Sequence, residues 1–133
     1  MPEESIKECV IDASFMLSHL LPDENSDSVK ALFKLYKENK IKFISSPIFP
    51  LEVLNGIRYS FIRKRIDQET AKSFVNNFLE LRVEVQNVNT KEVFSLSLKE
   101  NLSVYDASYI WLAKNNNTSL LTLDKNLINI IAK

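Results

Sequence analysis

The chain is short of the residues that most often punctuate folds or carry catalysis: it has one glycine, one cysteine and one histidine among 133 residues. Gly56 is embedded in the apolar segment "LEVLNGIRYSF", so neither a Walker-type nor a dinucleotide-binding glycine loop is present. Cys9 alone makes neither an internal disulfide nor a thiolate metal cluster, and its place in the run "CVID" marks it as a small core residue. His19 alone argues against multi-histidine zinc centres and against Ser-His-Asp or Cys-His catalysis. Charge of either sign is not in excess, with 17 basic against 17 acidic residues, so any site for a polyanion must be a local patch. Apolar runs stop well short of the ~18 residues a membrane span needs. The opening "MPEESIKE" is too acidic for a signal peptide, and a cytoplasmic protein with no membrane partner is expected. Whatever chemistry the chain performs falls to carboxylates.

What is present is an ordinary globular balance, 45% hydrophobic and 26% charged, in a length that suits one domain over residues 1–133 with a single core. Four short runs read as strands: "CVID" at 9–12, "IKFIS" at 41–45, "RVEVQ" at 82–86 and "SLLTL" at 119–123. Helical periodicity separates them. Val29, Leu32, Phe33 and Tyr36 follow the i, i+3, i+4, i+7 rule, and Ala71, Phe74, Val75, Phe78 and Leu79 repeat it. A long helix is expected from about Pro50 to Arg65, and others over "KEVFSLSLKE", "VYDASYIWLAK" and "KNLINIIAK". This alternation predicts a three-layer α/β/α sandwich around a mostly parallel sheet.

Ligands of such sheets bind beyond the carboxyl ends of the strands. Along that edge fall four acids: Asp12 at the end of the first strand, Glu52 in the first turn after Pro50, Asp106 at the start of its helix, and Asp124 after the last strand. Asp106 is the most telling, because "VYDASYIWLA" is apolar on every side except there. Burying an unpartnered carboxylate costs several kcal/mol, on the order set by desolvation. For any one acid, helix capping is as good an account as function, and Ser103 with Asp106 resembles a capping box. Capping four helices, however, does not require the caps to meet, whereas a metal site does. On the long helix, Glu52, Asn55 and Tyr59 share one face, while Val53, Ile57 and Phe61 stripe the other.

The ordered set "VIDAS", "LEVLNGI", "LSVYDASYIWLA" and "LLTLDKNL" resembles the PIN-domain ribonucleases, most closely the VapC-like toxins of toxin–antitoxin pairs, over about residues 9–130. The resemblance implies that Asp12, Glu52, Asp106 and Asp124 hold Mg2+ or Mn2+ for RNA cleavage, with Asp12 and Asp106 as direct ligands. It implies supporting roles for Ser14, Asn55 and Thr122, an antitoxin as partner, and a homodimer. The basic run "RYSFIRKR" places Arg58, Arg63, Lys64 and Arg65 as RNA or antitoxin contacts, with a solvated surface as the alternative. Phe49, Ile57, Phe61 and Ile62 stand equally as dimer or antitoxin contacts and as core. Other readings are a PIN nuclease of general RNA processing and a catalytically silent PIN-like binding module. A receiver or haloacid-dehalogenase domain shares the alternation, but the second Asp that a dehalogenase wants stands here as Ser14.

Overall fold

Four short runs form the strands β1 (Lys7–Ile11), β2 (Ile41–Ser45), β3 (Glu84–Val85) and β4 (Ser119–Leu121) of a computed structural model that describes residues 6–21, 23 and 26–132, with β-branched or aromatic residues in the first three. They lie in the order β3-β2-β1-β4 with every pairing parallel, Cys9 facing Phe43 on one side and Ser119 on the other. Successive β1 residues Cys9, Val10 and Ile11 are all buried, which requires cover on both faces of the sheet. The cover comes from α1 (Ala13–Leu20), α2 (Asp27–Lys37), α3 (Phe49–Ile62) and α4 (Gln68–Leu81) as one packed group, and from α5 (Thr90–Glu100), α6 (Val104–Asn115) and α7 (Lys125–Ile131) as the other. The expected α/β/α sandwich is the observed one. Among the described residues no helix is long and apolar enough to cross a membrane. Of the acidic opening segment, residues 1–5 lie outside the described residues, as does Lys133.

The core under the first group is aromatic. Phe33 stacks on Phe15 with ring centroids 5.3 Å apart and meets Phe43 edge-on at 5.1 Å. His19 stacks on Phe33 at 3.8 Å, and burial pushes its pKa down to about 4, so the lone histidine is a neutral packing residue. Cys9 is buried in the same core. Gly56 faces α1, where a Cβ would collide with the Leu17 side chain, so its absence lets α1 and α3 approach closely.

Several boundaries differ from the periodicity, each for a local reason. Asp12 does not end β1; its extended backbone and accepting side chain cap α1. β3 covers only 84–85, because Arg82 takes the left-handed conformation (φ 51°) that closes α4 and cannot begin a strand. The long helix stops at Ile62 rather than Arg65. Lys64 is left-handed (φ 60°) and Arg65 N–H donates to the Ser60 carbonyl at 2.9 Å, folding the chain back on the last turn. Of the basic run, therefore, only Arg58 lies within α3. The buried line of that helix runs Phe49, Val53, Ile57 and then Ser60, a step of three that rotates Phe61 outward to 43% exposure. Phe49 and Ile57 are thus core, whereas Phe61 and Ile62 are exposed, as is Leu79 on α4.

Candidate active site

Asp12, the residue between β1 and α1, is 4% exposed and its carboxylate accepts three hydrogen bonds. Oδ1 accepts the Phe15 N–H at 3.0 Å and the Ser14 hydroxyl at 2.7 Å, and Oδ2 accepts the Thr122 hydroxyl. Ser14 Oγ also lies 3.3 Å from Thr122 Oγ1 and accepts the Leu123 N–H at 2.9 Å. Thr122 Oγ1 in turn accepts the Asp124 N–H at 3.0 Å. This chain of bonds joins the ends of β1 and β4, adjacent strands whose Ile11 and Leu121 are in register. It explains why both "DAS" and "TLD" carry a small hydroxyl beside the acid.

Asp124 caps α7, its Oδ1 accepting from Asn126 N–H at 2.8 Å and Leu127 N–H at 3.3 Å. Asp106 caps nothing. Its own N–H donates to Ser103 Oγ at 3.0 Å, and the reciprocal half of a capping box is absent among the described residues. The carboxylate is half-buried at the start of α6, where a hydrogen bond with the Ser103 side chain opposes the rise in its pKa. Glu52, in the first turn of α3, receives the hydroxyl of Tyr109 on Oε1.

These carboxylates feel one another. Burial raises the pKa of Asp12, and the charge of Asp124 raises it further against the opposing hydrogen bonds from Thr122, Ser14 and Phe15. Burial raises Asp106 first, then the charges of Asp124 and Asp12. Glu52 is raised by burial and by Asp106 and Asp12, and lowered by its bond from Tyr109. Side chains from four separate elements thus share one electrostatic environment at the carboxyl edge of the sheet. Among the described residues, no three His, Cys, Asp or Glu side chains form a group able to hold an ion unaided. The donor set is oxygen only, and it fits a hard ion that keeps most of its waters and takes one or two carboxylates directly, as Mg2+ does.

The structure separates the remaining expected residues. Ser14 and Thr122 bind the acid network, whereas Asn55 is exposed one turn along α3 and makes no hydrogen bond to any of the four carboxylates. Arg63 sits over the Tyr59 ring, 5.0 Å from its centroid, on the face of α3 that carries Glu52. Arg58 points about 120° away. Sequence reasoning missed Tyr109, 1% exposed and with the pKa of its hydroxyl pushed far above the usual phenol value by burial and by Glu52. The available signal was spacing, for Tyr109 lies three residues after Asp106 and so on the same face of α6. Ser46 and Ser108, joined at 3.0 Å between the β2–α3 connection and α6, were also missed.

A family model for the PIN domain matches residues 9–133. The chain belongs to the PIN-domain family. It is 26% identical over 118 residues to Ribonuclease VapC3 of Pyrobaculum aerophilum, covering 89% of this chain and 90% of that protein. Among solved structures, PAE2754 from Pyrobaculum aerophilum superposes with a TM-score of 0.74 at 21% identity, over 93% of this chain and 79% of that one. VapBC2 from Rickettsia felis, bound to a DNA fragment from its promoter, superposes with a TM-score of 0.63 at 18% identity, over 92% of each chain. The solved structures establish the shared fold.

Proposed function

We propose that the protein is a divalent-metal-dependent endoribonuclease, the toxin of a toxin–antitoxin pair, hydrolysing RNA phosphodiester bonds. The observation that carries this reading is the electrostatic influence that Asp12, Glu52, Asp106 and Asp124 exert among themselves at the carboxyl ends of the strands, where burial and neighbouring negative charge raise the pKa of the first three. Like charges brought together in this way favour a nearby cation at neutral pH. Asp12 and Asp106 would hold Mg2+ or Mn2+ directly, with Glu52 and Asp124 completing the set. When bound, such an ion supplies Lewis acidity, making water a better nucleophile and offsetting charge on the phosphoryl oxygens.

The chain's own residues supply orientation. Ser14 and Thr122 fix the Asp12 carboxylate in one rotamer from both sides. Tyr109 occupies Oε1 of Glu52, which leaves Oε2 to accept a proton from an attacking water. No histidine is needed. The name of the VapC3 relative supports RNA as substrate, and the two-component VapBC2 supports an antitoxin as partner. The exposed Phe61 and Ile62 support a protein contact, a homodimer or the antitoxin, at the end of α3. Action on cellular RNA would go with a cytoplasmic location.

The test is cleavage of stem-loop RNA by wild type, Asp12→Asn and Asp106→Asn, each with Mn2+, Mg2+ or EDTA. Cutting by wild type alone, abolished by EDTA, is expected. Cutting that survives both substitutions sinks the assignment.

A further inference from the structure

Beside the carboxylate cleft lies a second, apolar pocket of ≈ 440 Å³, walled by Pro47, Ile48, Val88, Val93, Val104 and Tyr105. Its size lies within the range of small-ligand sites, roughly 300–1,000 Å³. Tyr105 is 55% exposed, an aromatic ring left to solvent on a helix that is otherwise largely buried. Ser108 also lines the pocket, but its hydroxyl is engaged by Ser46 Oγ at 3.0 Å and by the Tyr105 carbonyl at 2.6 Å. With Thr90 as its other polar side chain, the pocket offers mainly apolar surface that suits a flat group.

Its position follows from the first turn of α6. At about 100° per residue, Val104, Tyr105 and Ser108 fall on one side of the helix and Asp106 and Tyr109 on the neighbouring side. The first side lines the pocket and the second lines the acid cleft, so one helical turn is the wall between them. On the other flank, Ile48 lines the pocket while its carbonyl accepts the Glu52 N–H at 3.1 Å, one turn away on α3. Pocket and acids are thus built on the starts of the same two helices.

We infer that this pocket receives one unpaired nucleobase of the RNA, stacked on Tyr105, next to the phosphate held at the acids. The inference rests on the nuclease reading and extends it to the substrate: a polynucleotide whose phosphate lies among the carboxylates must place its neighbouring base somewhere, and α6 provides an apolar slot a residue away. Bases free of a duplex are those that stack on protein aromatics, so the RNA would be cut in a loop or other single-stranded element. With Ser108 engaged and Thr90 the other polar side chain of the lining, recognition at this position rests mainly on the flat face of the base.

The experiment uses the full chain with Mn2+ and a synthetic stem-loop RNA that the wild type cuts, found first from a pool of such RNAs. Tyr105→Ala is expected to lower kcat/KM by roughly 5- to 100-fold, the worth of one base–aromatic stack, and Tyr105→Trp to retain activity. An abasic residue at one position beside the cut is expected to cause the same loss in wild type and little further loss in Tyr105→Ala. Because Tyr105 is exposed, folding is checked by circular dichroism and Tm, both expected to be unchanged. Equal cleavage by Tyr105→Ala, or losses that multiply independently, overturns the base pocket while leaving the nuclease reading intact. Intact cleavage with self-association lost in sedimentation gives the pocket to a second copy of the chain and also overturns the proposal. No cleavage of any RNA in the pool by wild type removes the nuclease reading, and the pocket's role with it.

Discussion

Tyr109 of α6 donates its buried hydroxyl to Glu52 of α3, linking the two helices whose first turns flank the cleft. Removing that hydroxyl leaves Glu52 Oε1 half-buried without its donor, a loss of about 1.5–3 kcal/mol for a hydrogen bond to a charged acceptor. Tyr109→Phe is therefore expected to lower the urea midpoint with m unchanged, and to lower kcat more than it raises KM, because Glu52 loses a fixed orientation. An unchanged kcat would show that Glu52 is oriented by something else.

The hydroxyls of Ser14 and Thr122 hold opposite oxygens of Asp12. Thr122→Val keeps the shape and removes one donor, and it also removes the acceptor for the Asp124 N–H. Partners that orient a metal ligand typically change affinity about 10- to 100-fold when lost. Mn2+ binding measured by calorimetry is expected to weaken in that range for Thr122→Val. Asn55→Ala is expected to leave it unchanged, since Asn55 bonds none of the acids.

The difference between Thr122 and Asn55 shows what periodicity carries and what it does not. The strand–helix alternation and the four acids were legible because each depends on local pattern: apolar period, strand end, helix start. Ser14 and Thr122 were legible as short neighbours of acids in "DAS" and "TLD". Asn55 shares the helical face of Glu52, but a face says only which way a residue points, not whether anything lies within reach. Tyr109 was hidden for the opposite reason, an aromatic residue inside an apolar helix reads as core until a partner on another helix is seen. The end of α3 was misplaced because Lys64 in the left-handed region is a backbone event that a lysine does not announce.

The basic residues separate by angle along α3. Arg63, stacked over Tyr59, stands on the Glu52 face about 16 Å up the axis, while Arg58 is turned roughly 120° from it. RNA leaving the cleft along that face would meet Tyr59 and Arg63 first. Arg63→Ala is expected to reduce RNA affinity and to lower the slope of log Kd against log salt by about 1, with Arg58→Ala changing it less. Filter binding across a salt series decides this, and equal slopes for both variants would remove α3 from the RNA path.

The raised pKa values of Asp12, Glu52 and Asp106 make the metal-free fold sensitive to pH with a definite sign. A carboxyl whose folded pKa lies above its ordinary value, 3.8 for Asp or 4.5 for Glu, binds protons more tightly in the folded state. Its contribution is fully present below that ordinary value and is lost as pH rises through the folded one. His19 works in the opposite direction, because its pKa falls from 6.5 to about 4 on folding and stability is lost as pH drops through that interval. The wild-type profile alone therefore mixes two signs, and the difference between Asp106→Asn and wild type isolates the acid. That difference in Tm is expected to be near zero at pH 3.5, where Asp106 is protonated in both states, and to grow in favour of the variant by a few degrees by pH 7. Mn2+ is expected to raise the wild-type Tm at pH 7, to do little at pH 4, and to do little for Asp106→Asn at either pH. A variant that is less stable than wild type at pH 7 without metal would mean that the bond with Ser103 outweighs the charges of Asp12 and Asp124, and the reading of these acids as mutually repelling would fail.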